Sequence, residues 1–405
     1  MELGGELAAI TAGLDLLYRS RNRNAGILDA EGLIPVAVAD VTPQRFESYD
    51  EAEAALLSLR GRLGQAKSAL RRDWLDEMSD SLLALIATFR GDAISFAERL
   101  QRQIRVEVRD IPDDIIAGYH RGIRAALDEL GFRGNGLLED FTRWEGDARI
   151  PESKVLDVLA VFQRQARARC GTIATALKAD WLDGEWIKPV GQRDVPYSAY
   201  CDFPGRQVLL NVGFPYTAFS LKHLAVHEAF PGHLVHLKLR ERRVAEGLMP
   251  LDGAQVVTSS ASSALFEGIA DNGLQFLDWI ETPEDHLGHH LQRLRSALRC
   301  RAAWRVLGEG RPLEEVVPDI ATASLQSPEV TRSRLAFLGH NLRAPFVYAY
   351  WCGEMVVDAV WSKTAAEDRA DFWEYVYGNM HTPKTLTGYW RKPAFDLTRT
   401  SDPQF

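Results

Sequence analysis

The stretch "KHLAVHEAFPGHLVHL", residues 222–237, gathers four of the chain's ten histidines, a glutamate and a Pro-Gly pair. Imidazole and carboxylate are zinc ligands. Hydrolysis at zinc needs three protein ligands, an open position for water and a base beside that water. The familiar spacing H-E-x-x-H is missing: Pro231 stands where the second histidine belongs, and His233 comes six residues after His227. Positions six apart differ by roughly 240° around an α-helix and share no face. Pro231, however, removes one helical hydrogen bond and presses on the carbonyl of His227, and Gly232 follows with its wide dihedral freedom. A bulge absorbing two residues within the helix would bring His233 round to His227, and such bulges accompany functional sites. Glu228, next to His227, is then placed as the base.

A third ligand has to come from another helix. "ALFEGIADNG" offers Glu267, with Gly268 and Ala270 small enough for this helix to approach the motif helix. Asp271, one turn later, is spaced to orient a ligand histidine. Other readings of the same residues stay open. His223 and His227 are four apart and form an ordinary helical metal pair without any bulge. The whole stretch also reads as polar surface with core imidazoles. His236, three beyond His233, is expected to face either a neighbouring element or the residues that support the ligands. In "DHLGHH", His286 and His290 have metal spacing, with His289 beside them, but no carboxylate is at hand and a solvated helix start is the simpler reading. His340 and His381 are lone histidines that could donate to a substrate oxyanion or serve structure alone.

His227-Glu228-Ala229-Phe230-Pro231-Gly232-His233, followed by Phe266-Glu267-Gly268-Ile269-Ala270, resembles the bacterial domain-of-unknown-function 885 (DUF885) family, with its H-E-A-x-P-G-H-H and E-G-W-A segments. That family is regarded as related to the gluzincin metallopeptidases. The resemblance covers roughly residues 190–390 and takes in Asn211 before the motif and Tyr350 ahead of Gly353-Glu354. It implies a gluzincin-like fold and one zinc ion on His227, His233 and Glu267, with Glu228 as catalytic base and Tyr350 stabilising the oxyanion. Asp271, His236, Asn211 and His340 are the accompanying candidates for orienting the ligands or touching substrate. The chain departs from the pattern at Leu234, at Ile269 and in Gly308-Glu309-Gly310-Arg311-Pro312, where the family often has D-T-G and a histidine.

The elements that must hold these residues read as helices. Apolar residues recur three and four apart through most of the 405 residues, giving a mainly α fold. "VPYSAYCDFPGRQVLLNVGFP" is the exception, a β-hairpin turning at Phe203-Pro204-Gly205-Arg206 directly before the motif helix. It caps the site or pairs its edge with an extended peptide near Asn211. Residues 1–190 are expected as a helical wall or lid and 191–405 as the catalytic half.

A net charge of −9 argues against a broad nucleic-acid surface. No apolar run reaches membrane-spanning length, and the start lacks a signal-like pattern. Cys170, Cys201, Cys300 and Cys352 form no CxxC pair and read as reduced thiols of a cytoplasmic protein. The expected activity is zinc-dependent hydrolysis of peptide or peptide-like amide bonds. The alternatives are the same chemistry on a small biosynthetic amide, an inactive metal-binding module, or a non-haem iron enzyme. Arg334 and Arg343 are the candidate anchors for a substrate terminus, and the oligomeric state is not legible.

Overall fold

The computed structural model describes residues 2–22, 26–193, 195 and 197–390. They are mainly α-helical with short strands, as the periodicity predicts. In chain order, the helices that bear on function begin with α1 (Leu3–Arg21), α2 (Tyr49–Arg60), α3 (Ala69–Arg90), α4 (Asp113–Glu129) and α5 (Val155–Arg169). They continue with α6 (Ala218–Glu228), α7 (His233–Ala245), α8 (Ser263–Asp271), α9 (Pro283–Ala303), α10 (Pro328–Arg334) and α11 (Val347–Trp361). The strands are β1 (Val36–Ala37), β2 (Lys188–Gln192), β3 (Ala199–Asp202), β4 (Gln207–Asn211) and β5 (Gln255–Val256). No helix among the described residues is long and apolar enough to cross a membrane.

Two compact units emerge, and neither follows the expected division at residue 190, because the chain returns to each of them. Among the described residues, one takes 2–108, 237–268 and 337–390; the other takes 109–236 and 269–336. In the first unit, Leu7, Ile10 and Leu14 of α1 share a core with Leu56 and Leu59 of α2 and Leu75, Leu82 and Ile86 of α3. Their three- and four-residue spacing gives each helix one apolar stripe. Ser48 and Ser68 cap α2 and α3 by accepting from backbone N–H groups three residues on. Buried Asp252 accepts from Trp74 Nε1 at 2.9 Å and pairs with Arg71, and β1 runs antiparallel to β5.

The second unit carries the histidine motif. Here α9 packs along α4, and α6 along α5. The expected hairpin is present as β3 and β4, antiparallel, with Asp202 Oδ1 accepting from Gly205 N at 3.1 Å in the turn. A third strand, β2, lies parallel to β4 and gives the order β2-β4-β3. Its sequence "KPVGQ" has no alternation, and its proline and glycine are tolerated because it is an edge. The strand that carries Asn211 is therefore central and bonded on both sides, so it has no edge to offer a peptide.

From this sheet the chain enters α6 through a capping box between Thr217 and Ser220. A buried ion pair then fixes the helix: Lys222 Nζ lies 2.9 Å from Asp285 Oδ1 and 4.4 Å from the centre of the Trp279 ring. Asp285 also accepts from the N–H groups of Glu281 and Thr282 at the start of α9. Burial pushes its carboxyl up, but these donors outweigh that and hold it below the ordinary carboxylate range. Asp285→Ala strands a buried ammonium, so the unfolding free energy is expected to drop by about 3 kcal/mol. Urea unfolding measures it, and a loss under about 1 kcal/mol would show that the pair does not hold α6.

Candidate metal centre

The motif helix does not bulge; it breaks. α6 ends at Glu228 and α7 starts at His233, with a cis peptide between Phe230 and Pro231. Ala229 has already left helical geometry at φ −123° and ψ −84°. Phe230 N–H reaches back to Ala225 O at 3.2 Å and Gly232 N–H to Val226 O at 3.0 Å, spans of five and six residues. The expected in-helix bulge is thus corrected to a full interruption closed by widened bonds. Proline without an N–H cannot continue the four-residue ladder. Gly232 is required here: a Cβ at that position would stand 1.9 Å from the carbonyl oxygen of His227. The interruption swings His233 onto His227, and their rings meet edge to face with centroids 4.6 Å apart.

Two overlapping groups of ligand-type residues result. The ligand atoms of His227, His233 and Glu267 lie within 4.8 Å of one another, and so do those of His223, His227 and Asp271; all are buried. The links between the groups separate their roles. His227 Nδ1 is 2.8 Å from Asp271 Oδ1, and His223 Nε2 is 3.4 Å from the same oxygen. Burial pushes the Asp271 carboxyl up, but His227 and His223 together hold it well below the ordinary carboxylate range. An ionised carboxylate only accepts, so His227 Nδ1 carries the hydrogen and Nε2 presents its lone pair. A carboxylate behind a ligand imidazole is the usual way of fixing its tautomer and ring orientation at a metal site. Burial also depresses His223, which favours its neutral form. Asp271 serves the two histidines of the one group, which leaves His227, His233 and Glu267 as the candidate ligand set for one ion.

Glu228 is buried beside His227 as the last residue of α6. Cys201 on β3 and Tyr216 are raised mainly by burial, and the Glu228 charge adds to both. Glu267 stands one helical turn before Asp271 on α8. Gly268 does not face the motif helix as expected. Its Cβ would meet the Gly353 carbonyl of α11 at 2.2 Å, so it lets α8 and α11 touch backbone to backbone. Tyr350 sits one turn before Gly353 on α11, half-buried, edge-on to Phe346. The small residue against the motif is Gly273, whose Cβ would lie 2.4 Å from Val226 and 3.3 Å from Pro231. Its position two residues past Asp271 was the only signal in the sequence.

The remaining candidates are distributed more widely. His236 is buried one turn into α7. Asn211 donates to Val195 O and accepts from Gly213 N, both at 3.1 Å, which engages both ends of its amide in its own loop. His340 faces Asp29 at 3.3 Å, and Arg343 is paired with Glu31. His381 lies against the Tyr375 ring, its Nε2 2.9 Å from Tyr375 O, as a structural histidine does. The solvated helix start expected for "DHLGHH" holds for His286 alone. His290 is buried against Gly122 of α4, because α9 packs along that helix.

Comparisons with known proteins add a fold likeness. The chain is similar to a crystal structure titled as "the putative lipoprotein from Colwellia psychrerythraea", with a TM-score of 0.54 and 13% identity. The alignment takes 83% of this chain and 65% of that one, so the chain spans about two thirds of that protein. At this identity the likeness concerns the fold alone. No protein-family model and no curated protein matches the chain.

Gly232→Ala puts a methyl against the backbone carbonyls of His227 and Val226. The expected cost is about 1–3 kcal/mol, read as a lower urea midpoint with an unchanged slope; undiminished stability would contradict the packing described.

Proposed function

We propose that the chain is a zinc-dependent hydrolase of peptide or peptide-like amide bonds, with His227, His233 and Glu267 as the ligands of one zinc ion. The observation that carries this reading is the 2.8 Å contact of Asp271 with His227 Nδ1, behind a two-histidine, one-carboxylate group with a further carboxylate, Glu228, next to His227 in the chain. The donor set fits zinc, which takes imidazole and carboxylate at about 2.0–2.2 Å. The motif's resemblance to the DUF885 family, and through it to gluzincin metallopeptidases, supports the same assignment. A zinc ion held here supplies a Lewis acid for activating water and polarising an amide carbonyl.

The chain's own groups account for the proton movements. Glu228 accepts a proton from the attacking water and delivers it to the departing amine nitrogen. Asp271 keeps His227 in one tautomer and orientation throughout. Tyr350, on the helix that abuts α8, is the hydroxyl we assign to the developing oxyanion. An intact base argues against a purely structural metal module, which has no use for a carboxylate in that position. Four thiols without a disulfide among them support a cytoplasmic address.

Two substitutions test the assignment. Glu228→Gln is expected to keep one zinc per chain by elemental analysis while cleavage of a peptide library falls by about 10²–10⁴-fold. Unchanged cleavage would remove Glu228 from the reaction, and iron in place of zinc would shift the chemistry to another class. Asp271→Asn is expected to weaken zinc binding by about 10–100-fold in a chelator competition; an unaltered affinity would mean that Asp271 does not support the ligand.

A further inference from the structure

A cavity of ≈ 150 Å³ opens in the second unit, and His223 of α6 forms part of its wall. Gln292 lines it too and reaches Asp271 Oδ1 at 3.5 Å. The cavity therefore lies one imidazole away from His227, whose ring centroid is 5.5 Å from that of His223. Its volume is about that of a pocket able to admit benzene, enough for one amino-acid residue of modest size.

Its charges are the unusual feature. Arg295 and Arg299 of α9 and Arg334 of α10 all line it, against a single carboxylate, Glu145. Glu145 lies 3.7 Å from Arg295. Arg334 lies over the Phe214 ring at 5.3 Å, and its Nε is buried with no hydrogen-bond partner among the described residues. Thr331, one turn earlier on α10, is 2% exposed and also lines the cavity. Its hydroxyl likewise lacks a partner among the described residues. A buried hydroxyl and guanidinium nitrogen left unsatisfied cost stability unless something binds them. Burial first, and then the neighbouring Arg295 and Arg299, depress Arg334 to about 10. Three like charges have been gathered where each opposes the others, which favours an anion in their midst.

We propose that this cavity binds the free carboxylate of a peptide's last residue through Arg295, Arg299, Arg334 and Thr331, so that the enzyme removes residues from peptide C-termini. The planar guanidinium fork matches a carboxylate in two-point geometry. This names a substrate class for the hydrolase reading and rests on it, whereas the anion pocket itself stands without it. The reaction consumes one water: the last amide C–N bond breaks, the acyl carbon gains the hydroxyl oxygen, and the released amino acid gains the proton on its nitrogen. Sequence alone offered Arg334 together with Arg343, and only Arg334 lines this cavity. Arg295 and Arg299 were hidden among the arginines of "LQRLRSALRCR", where i, i+4 spacing reads as solvated helix surface.

The test uses full-length Glu228→Gln protein, so that binding is measured without turnover. N-acetylphenylalanine is expected to bind at least tenfold more tightly than N-acetylphenylalaninamide, and Arg334→Ala in the same background to remove that preference. Equal binding of acid and amide overturns the proposal without depending on any arginine variant folding. Tighter binding of inorganic phosphate than of the acid also overturns it. In the wild-type enzyme, amidating a peptide's C-terminus is expected to reduce cleavage at least 100-fold, and equal cleavage of the amidated peptide overturns the exo-cleavage. Selective binding of the acid in a protein that cleaves no peptide would support the pocket and count against the hydrolase reading alone.

Discussion

Between Glu228 and His233 the backbone doubles back so closely over the carbonyl of His227 that residue 232 has no room for a side chain. That close approach decides the geometry around it. In an unbroken helix the two histidines would face different ways. With the helix interrupted, the second imidazole lands edge-on against the first. Proline supplies the break and glycine permits the fold-back, so the six-residue spacing is a construction rather than a damaged version of the four-residue one.

The surroundings make this turn dependable. The sheet delivers the chain to a capped α6, and the Lys222–Asp285 pair fastens that helix to the start of α9. Asp271 fixes the tautomer of His227 from behind, while Glu267 projects from the same α8 one turn earlier. The proposed ligand Glu267 and the carboxylate that holds His227 thus share one short helix, which limits how far they can drift relative to each other. The three arginines of the neighbouring cavity extend the same logic. Their positive charge lines the same cavity whose wall includes His223, where the proposed peptide carboxylate would bind.

Much of this was legible in the sequence, and the failures have physical causes. Helices followed from three-and-four periodicity, and the hairpin from its Pro-Gly turn. His227, Glu228, His233, Glu267 and Asp271 carried chemistry in their types and spacing, and the structure sets His227 with His233 and Glu267 in one group and with His223 and Asp271 in another. The strand β2 was missed because an edge strand with proline and glycine has no alternating pattern. The role of Gly268 was misassigned, since a small residue announces a close approach without saying to what; the partner is Gly353, far along the chain. Asn211 looked available because a strand's neighbours are invisible until the pairing is known. The division into units was unreadable for a similar reason: each is assembled from stretches that the sequence separates widely.

The central claim is that two imidazoles joined by a broken helix and one carboxylate from α8 grip a single ion. X-ray absorption at the zinc edge, on wild-type protein and on His233→Ala, tests it most directly. The account predicts one zinc per wild-type chain with two imidazole nitrogens and carboxylate oxygen in its shell, and one imidazole fewer in the variant. A wild-type protein that holds no zinc, or a variant whose shell is indistinguishable from wild type, would contradict it.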